Sequence, residues 1–321
     1  MRFRLTVFGA AFLVLSAAAA FALGERGTVL RETRIYISPD ATSARVGDAL
    51  RGHEMIVLER TNGWVHVEAL LTDPRRNEED DEQEEGKTVS GWIPAKGFVG
   101  ATTQDGDRII FGEAADSEEQ ASQRQGRRGA AQDAMRLYYR VYDLFPASPI
   151  AGEALYRFAD IRWQIERADV MSRPSAKERD PMLRTGMNED FMKLVIKKFS
   201  GSKWADLAAF HLIENKLCGD WEGAAKCPVK EAEIYEKYAA EHPQSPDTAE
   251  ALYQAAWRWS ALIEIYKSDG DSRKSDESRT RATSLAQKTA SQFPQSDWGA
   301  RAQRLLFMLQ QGIPAYGNAE D

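Results

Sequence analysis

The chain has 321 residues, 43% of them hydrophobic and 28% charged, and a formal net charge of −7. That length allows two or three domains, and the composition is that of an ordinary folded chain. No basic face or arginine-rich stripe offsets the negative charge, which excludes nucleic acid as a partner.

The first elements are read from MRFRLTVFGAAFLVLSAAAAFALGERG. Arg2 and Arg4 make a basic start, Leu5 to Ala22 is an apolar run, and Ala20-Phe21-Ala22 fits the small-x-small cleavage rule. Residues 1–22 are therefore expected to be a secretory signal peptide. The rival reading is an uncleaved N-terminal anchor, because 18 apolar residues approach the spanning minimum. No cysteine lies near the cleavage site, which argues against a bacterial lipid anchor. No later stretch is long and apolar enough to span a bilayer, so the chain is expected to be exported, periplasmic or secreted.

Residues 28–100 read as short strands. TRIYI (33–37) alternates, EMIVLER (54–60) is a β-branched run, and Asn62-Gly63 is a turn signal. WVHVEAL (64–70) alternates strictly, with Trp64, His66 and Glu68 on one face and Val65 and Val67 on the other. Another Gly-Trp pair opens SGWIPAKGFVG, and about five strands in all suggest a small barrel. An insert over 73–87 carries seven acids between Glu78 and Glu85. It lacks the spaced register of a calcium loop and reads as a solvated, self-repelling segment.

This stretch resembles a bacterial SH3-like domain. The resemblance rests on IYISPDATSARVG, Gly52, Gly63-Trp64 and Gly91-Trp92-Ile93. The first strand, Ile35-Tyr36-Ile37, departs from the family's usual asparagine-valine-arginine, and the insert is an addition. The resemblance implies a ligand groove to which Trp64, Trp92 and Tyr36 are candidates. At such positions aromatics either fill the core or line the groove. The implied ligand is a cell-wall peptide or another envelope molecule.

Residues 101–129 are rich in Gly, Ser, Gln and charge and read as a linker, with Ile109, Ile110 and Phe111 available to dock on a neighbour. From Ala130 the period becomes helical: Leu155, Phe158, Ile161 and Ile165 share a face, as do Leu252, Ala256, Trp259, Ile263 and Tyr266. The helical-repeat region is expected over 130–312, followed by a tail over 313–321.

Four breaks punctuate that region: FPASP at 145–149, FSGSK at 199–203, HPQSP at 242–246 and FPQSD at 293–297. In three of them proline biases the preceding residue out of the α region, so a helix ends at Phe145, His242 or Phe293. Ser148, Ser202, Ser245 and Ser296 are expected to cap the next helix. In two copies proline follows the serine, expected at the first helical position. Ala151, Ala205, Thr248 and Gly299, then Ala154, Ala208, Ala251 and Ala302, are small enough for close helix approach. Each break therefore joins two antiparallel helices. The breaks are 54, 43 and 51 residues apart, longer than the ~34 of a tetratricopeptide repeat. The extra length is placed on loops at 171–190, in the cysteine loop and at 268–279.

FPASPIAGEALY and HPQSPDTAEALY resemble the tetratricopeptide-like repeats of the outer-membrane β-barrel assembly lipoprotein and related exported repeat proteins. The resemblance implies a helical solenoid with a surface for a protein partner. A role as a scaffold in outer-membrane protein assembly is the alternative it suggests, although the lipid-attachment cysteine of that family is missing here.

The two cysteines, Cys218 and Cys227, sit in LCGDWEGAAKCP. In an oxidising compartment they most simply pair; a reactive thiol or metal pair is the rival, and the flanking residues make no zinc motif. His53, His66, His211 and His242 have no metal-ligand spacing. There is no Gly-rich phosphate loop and no Gly-x-Ser-x-Gly. The six tryptophans of the helical region, Trp163, Trp204, Trp221, Trp257, Trp259 and Trp298, are expected to pack between helices.

Together these features predict a multi-domain chain, a small all-β SH3-like barrel plus an all-α tetratricopeptide-like helical-repeat solenoid. The expected role is an exported, non-catalytic adaptor with no cofactor and no metal. Its barrel would take a cell-wall or envelope ligand and its repeats a protein partner.

Overall fold

The computed structural model describes residues 24–71 and 87–315. The expected signal peptide, nearly all of the acidic insert and the end of the tail lie outside the described residues.

Seven strands form one antiparallel sheet: β1 (Arg26–Val29), β2 (Thr33–Tyr36), β3 (Arg45–Ala49), β4 (Glu54–Thr61), β5 (Trp64–Leu71), β6 (Lys87–Pro94) and β7 (Phe98–Gly100). Their lateral order is β3-β2-β6-β5-β4-β1-β7. The alternation in β5 works as read. Val65, Val67 and Ala69 point inward with Ile35, Met55, Val89 and Ile93 to make an aliphatic core. Gly63, at φ +78°, turns the β4–β5 hairpin in a conformation that glycine adopts without strain.

The fold class expected from the sequence is corrected here. The sheet does not close into a barrel: β3 and β7 are its two edges and do not pair with each other. The whole is a mixed α/β fold, an open sheet joined to nine α-helices among the described residues. Alternation fixes which way a side chain points, but closure requires hydrogen bonds between the two laterally outermost strands. Here β7 is three residues long and leads straight into helices, and Val99 is already buried in their core.

The expected linker is also corrected. Gly106–Ser122 is a helix, α1, with Ile110, Ala114 and Ser117 buried along one stripe. Its buried side is narrow and built partly of small residues, so the segment looks hydrophilic in sequence. Phe111 meets Tyr138 edge to face at 5.2 Å, and the Tyr138 hydroxyl donates to Glu118 at 2.6 Å.

The remaining helices are α2 (Ala130–Leu144), α3 (Ala151–Ser172), α4 (Asp190–Lys198), α5 (Lys203–Glu214), α6 (Lys226–Glu241), α7 (Thr248–Ser268), α8 (Ser272–Gln292) and α9 (Asp297–Gln311). The four sequence breaks fall inside the packed pairs α2/α3, α4/α5, α6/α7 and α8/α9. Their geometry repeats. Phe145, Phe199, His242 and Phe293 have φ of −128°, −123°, −125° and −127°. Each donates its N–H to the carbonyl four residues back, and each carbonyl accepts from the serine N–H three residues on, at 2.9–3.1 Å. All eight small positions are buried.

The serines divide into two kinds. Ser202 and Ser296 cap as expected, accepting from Ala205 and Gly299 N–H at 3.3 and 3.0 Å. Where proline follows, Ser148 and Ser245 accept instead from Ile150 and Asp247 N–H, both at 3.2 Å. There the regular helix begins at Ala151 or Thr248, so proline precedes the first helical turn rather than opening it. A tight turn, with Ala151 N–H on the Ser148 carbonyl at 3.1 Å and Thr248 N–H on the Ser245 carbonyl at 3.2 Å, fills the interval.

The 173–189 connection and the cysteine loop lie between helices as expected, but SRKSDESR is the start of α8, leaving only 269–271 as loop. Cys218 and Cys227 form a disulfide. Its loop is also tied inward by Glu231, whose Oε1 accepts from Cys218 N–H at 2.9 Å and Trp221 Nε1 at 3.1 Å. The other oxygen, Oε2, accepts from buried Arg258 Nε at 2.7 Å.

The sheet is fastened to α2 by a ring of charges. Arg26 and Arg140 each bond both Glu54 and Asp143. Arg136 Nε donates to the Arg51 carbonyl at 2.8 Å, and Arg140 Nε to the Gly52 carbonyl at 3.1 Å. His53 is buried at this junction, and burial with Arg136 and Arg140 nearby pushes its imidazole down to about 4.

Candidate aromatic binding face

The three candidate residues Tyr36, Trp64 and Trp92 come together on the outer face of the sheet. Pairing register explains how. Glu59 of β4 faces His66 of β5, His66 faces Trp92 of β6, and Trp92 faces Tyr36 of β2. One lateral row thus reads Glu59, His66, Trp92, Tyr36, and the next row carries Thr61, Trp64 and Pro94. The four rings alternate with inward neighbours: Trp64 and His66 flank buried Val65, Trp92 lies between buried Gly91 and Ile93, and Tyr36 follows buried Ile35.

The rings form two contacts. His66 stacks on Trp92 with centroids 4.7 Å apart and planes 11° from parallel. Tyr36 meets Trp64 edge to face at 5.8 Å and 87°. Both geometries are the ones that the ring quadrupole favours. His66 is oriented further by a 3.1 Å hydrogen bond between Nε2 and the Ser90 hydroxyl. Gly91 makes the approach of β2 possible, because a Cβ there would lie 2.6 Å from the Tyr36 carbonyl and from Ile35 Cγ2.

All four rings stay partly exposed. Ile56 (37%) and Leu70 (55%) extend the same face with apolar surface, and Glu59 and Glu68 supply negative charge along it. The arrangement offers flat, fixed π faces beside carboxylates and one imidazole. It suits stacking and C–H contacts with a ligand that has apolar faces and hydrogen-bonding edges.

The groove candidates Trp64, Trp92 and Tyr36 lie opposite the core. His66 joins them; its shared face with Trp64 is legible in β5 alone, but its stack on Trp92 depends on the β5–β6 register.

His242 and His211 have structural partners, whereas buried His53 Nδ1 has no hydrogen-bond partner among the described residues. His242 Nδ1 meets Asp206 at 2.8 Å. His211 Nε2 lies 3.2 Å from both the Tyr156 hydroxyl and Asp160. Of the helical tryptophans, Trp163, Trp221 and Trp259 are buried, and each places its Nε1 on a carboxylate, of Glu214, Glu231 and Glu236. Trp204, Trp257 and Trp298 are half-buried against Tyr156, Trp221 and Tyr253. Among the described residues no group of three or more His, Cys, Asp or Glu is placed to hold a metal, and no helix is long and apolar enough to cross a membrane.

Models of known protein families and a search of curated proteins yield no match to this chain.

Proposed function

We propose that this chain is an exported, non-catalytic binding protein. Its ligand belongs to the cell wall or envelope and docks on the outer face of the sheet through Trp92, His66, Trp64 and Tyr36. The observation that carries the reading is the lateral aromatic row. The sheet's core is complete on its inner, aliphatic face, so the outer rings are not required to fill it. Ordered aromatic surface held in place by stacking and by the Ser90 hydrogen bond is surface reserved for contact. Support for export comes from the N-terminal basic-apolar-small pattern and the disulfide. The helical hairpins act as the arm that meets a protein partner.

The test is co-sedimentation of the mature protein with purified cell-wall sacculi, beside Trp64→Ala and Trp92→Ala variants with unchanged circular dichroism. Wild type is expected in the pellet and both variants in the supernatant. Wild type remaining in the supernatant across a range of salt would remove the cell-wall ligand from this reading.

A further inference from the structure

Hairpins two and three meet less closely than the helices within each hairpin, and a groove of about 600 Å³ lies between α5 and α6. Its floor is apolar, from Ala209, Leu212 and Ile213 on α5 and Ile234 and Tyr238 on α6. Lys216, Lys230 and Lys237 rim it and outnumber the two carboxylates there, Asp180 and Glu241. Lys230 also borders a second cavity of about 610 Å³, which is lined in part by Lys177 and Lys226. The two cavities flank one loop that contains Asp180 and Pro181.

That loop is held firmly. Gly219 N–H donates to the Glu178 carbonyl at 3.0 Å and Asp220 N–H to the Lys177 carbonyl at 3.2 Å. Arg184 Nη1 reaches the Leu217 carbonyl at 2.6 Å, and the Asn215 side chain bonds both the N–H and the carbonyl of Met187. Yet the loop turns two large apolar side chains outward: Met182 is 88% exposed and Leu183 is 67% exposed. Fixing backbone that displays Met and Leu to water gains no burial, so its use lies in contact with something else.

The charges say what. Among the described residues Lys216, Lys226 and Lys230 make no ion pair within 4 Å, though Lys216 lies close enough to Glu189 to favour its charged form, and Lys237 reaches only Glu241, at 3.8 Å. These lysines surround an apolar floor on a chain whose net charge is −7. We propose that the groove docks an acidic segment of a partner protein. Its apolar side chains would lie on the α5–α6 floor and against Met182, and its carboxylates would meet the lysine rim. The proposal builds on the reading of the helices as a protein-binding arm and gives that partner its chemistry. Opposite charge across a rim steers association and selects the partner, while the apolar floor supplies most of the contact area.

The experiment uses the mature protein and two fluorescein-labelled peptides, one of Leu and Glu at helical spacing and one of Leu and Lys. Fluorescence anisotropy should show saturable binding of the Glu peptide, weakened by salt, and little binding of the Lys peptide. The triple variant Lys216→Glu, Lys230→Glu, Lys237→Glu should weaken the Glu peptide by at least about tenfold with its urea melt unchanged. Met182→Asp, at an exposed position, should weaken it too; Trp92→Ala should not. Equal binding of both peptides, binding of neither, or a triple variant that binds like wild type would overturn the proposal. So would self-association abolished by Met182→Asp and indifferent to the Glu peptide, which would make the occupant a second copy. Sacculus binding should survive the triple variant, so failure of this proposal is separable from failure of the aromatic face.

Discussion

The sheet and the helical hairpins use aromatic residues in opposite ways. In the helices three tryptophans are buried and the other three are half-buried against neighbouring rings, and each buried indole N–H is met by a carboxylate. In the sheet, aliphatics make the core, with Phe98 of β7 packed against it, and the Tyr36, Trp64, His66 and Trp92 rings lie on the other face. A strand has two faces with a period of two, so a residue type not needed inside is displayed by geometry alone. A helix stacked between neighbours has little spare face, so its aromatics are absorbed in packing. Aromatic residues are therefore absorbed in packing in the helical half, whereas four of them remain displayed on the outer face of the sheet.

The contrast can be broken by substitution. Trp163→Ala, in the helical core, should cost about 3–5 kcal/mol in urea unfolding. Trp92→Ala on the sheet should cost about 1 kcal/mol, the worth of one aromatic pair, while removing ligand binding. Similar losses at both positions would mean that the outer face is structural.

The junction between the halves should be pH-sensitive. His53 has its folded pKa at about 4, below the ordinary 6.5, so the fold favours the neutral ring and the unfolded chain takes the proton first. Its contribution is complete above pH 6.5 and is lost as pH falls towards 4, with about 3 kcal/mol at stake. Arg136 and Arg140 oppose the charged ring, and Asp133 only partly compensates. Urea melts at pH 7 and pH 4.5 should differ less for His53→Gln than for wild type. An unchanged difference would show that the surrounding carboxylates carry the acid sensitivity.

Reduction tests the bracing of the helical half. The disulfide closes a short loop, and chain entropy assigns it about 2.7 kcal/mol. Cys218→Ser should lower stability by that order and should loosen the groove wall that Gly219 and Asp220 hold. A melt that dithiothreitol does not move would assign the loop's order to Glu231 instead.

The smallest expected effect separates the two kinds of turn. Ser202→Ala and Ser296→Ala remove a side-chain cap and should each cost about 1 kcal/mol. Ser148→Ala removes the bond from Ile150 N–H and also the 2.6 Å bond that the Ser148 hydroxyl donates to the Asp107 carboxylate, so it should cost at least as much. A smaller cost than at Ser202 and Ser296 would show that the tie to Asp107 contributes little.

Much of this was local and therefore readable. Pro after Phe145, His242 and Phe293 stops a helix wherever it stands, and the Ser three positions on recurs in the fourth break, FSGSK, so the breaks, the buried small residues after them and the β4–β5 hairpin were legible from the chain. The disulfide followed from two cysteines and a short loop. Trp64 and His66 could be assigned to one face from β5 alone. Three features depended on partners far away in sequence. Whether the sheet closes is decided by β3 and β7, which meet other strands and not each other. The helix in the expected linker exists because Ile110 and Ala114 find the α2 and α3 core, not because its own composition demands it. The aromatic row exists because β2 crosses Gly91 and puts Tyr36 opposite Trp92. Turn chemistry and alternation act over a few residues and are written in order along the chain. Lateral register and edge pairing are made between residues tens of positions apart, and only the folded backbone brings those together.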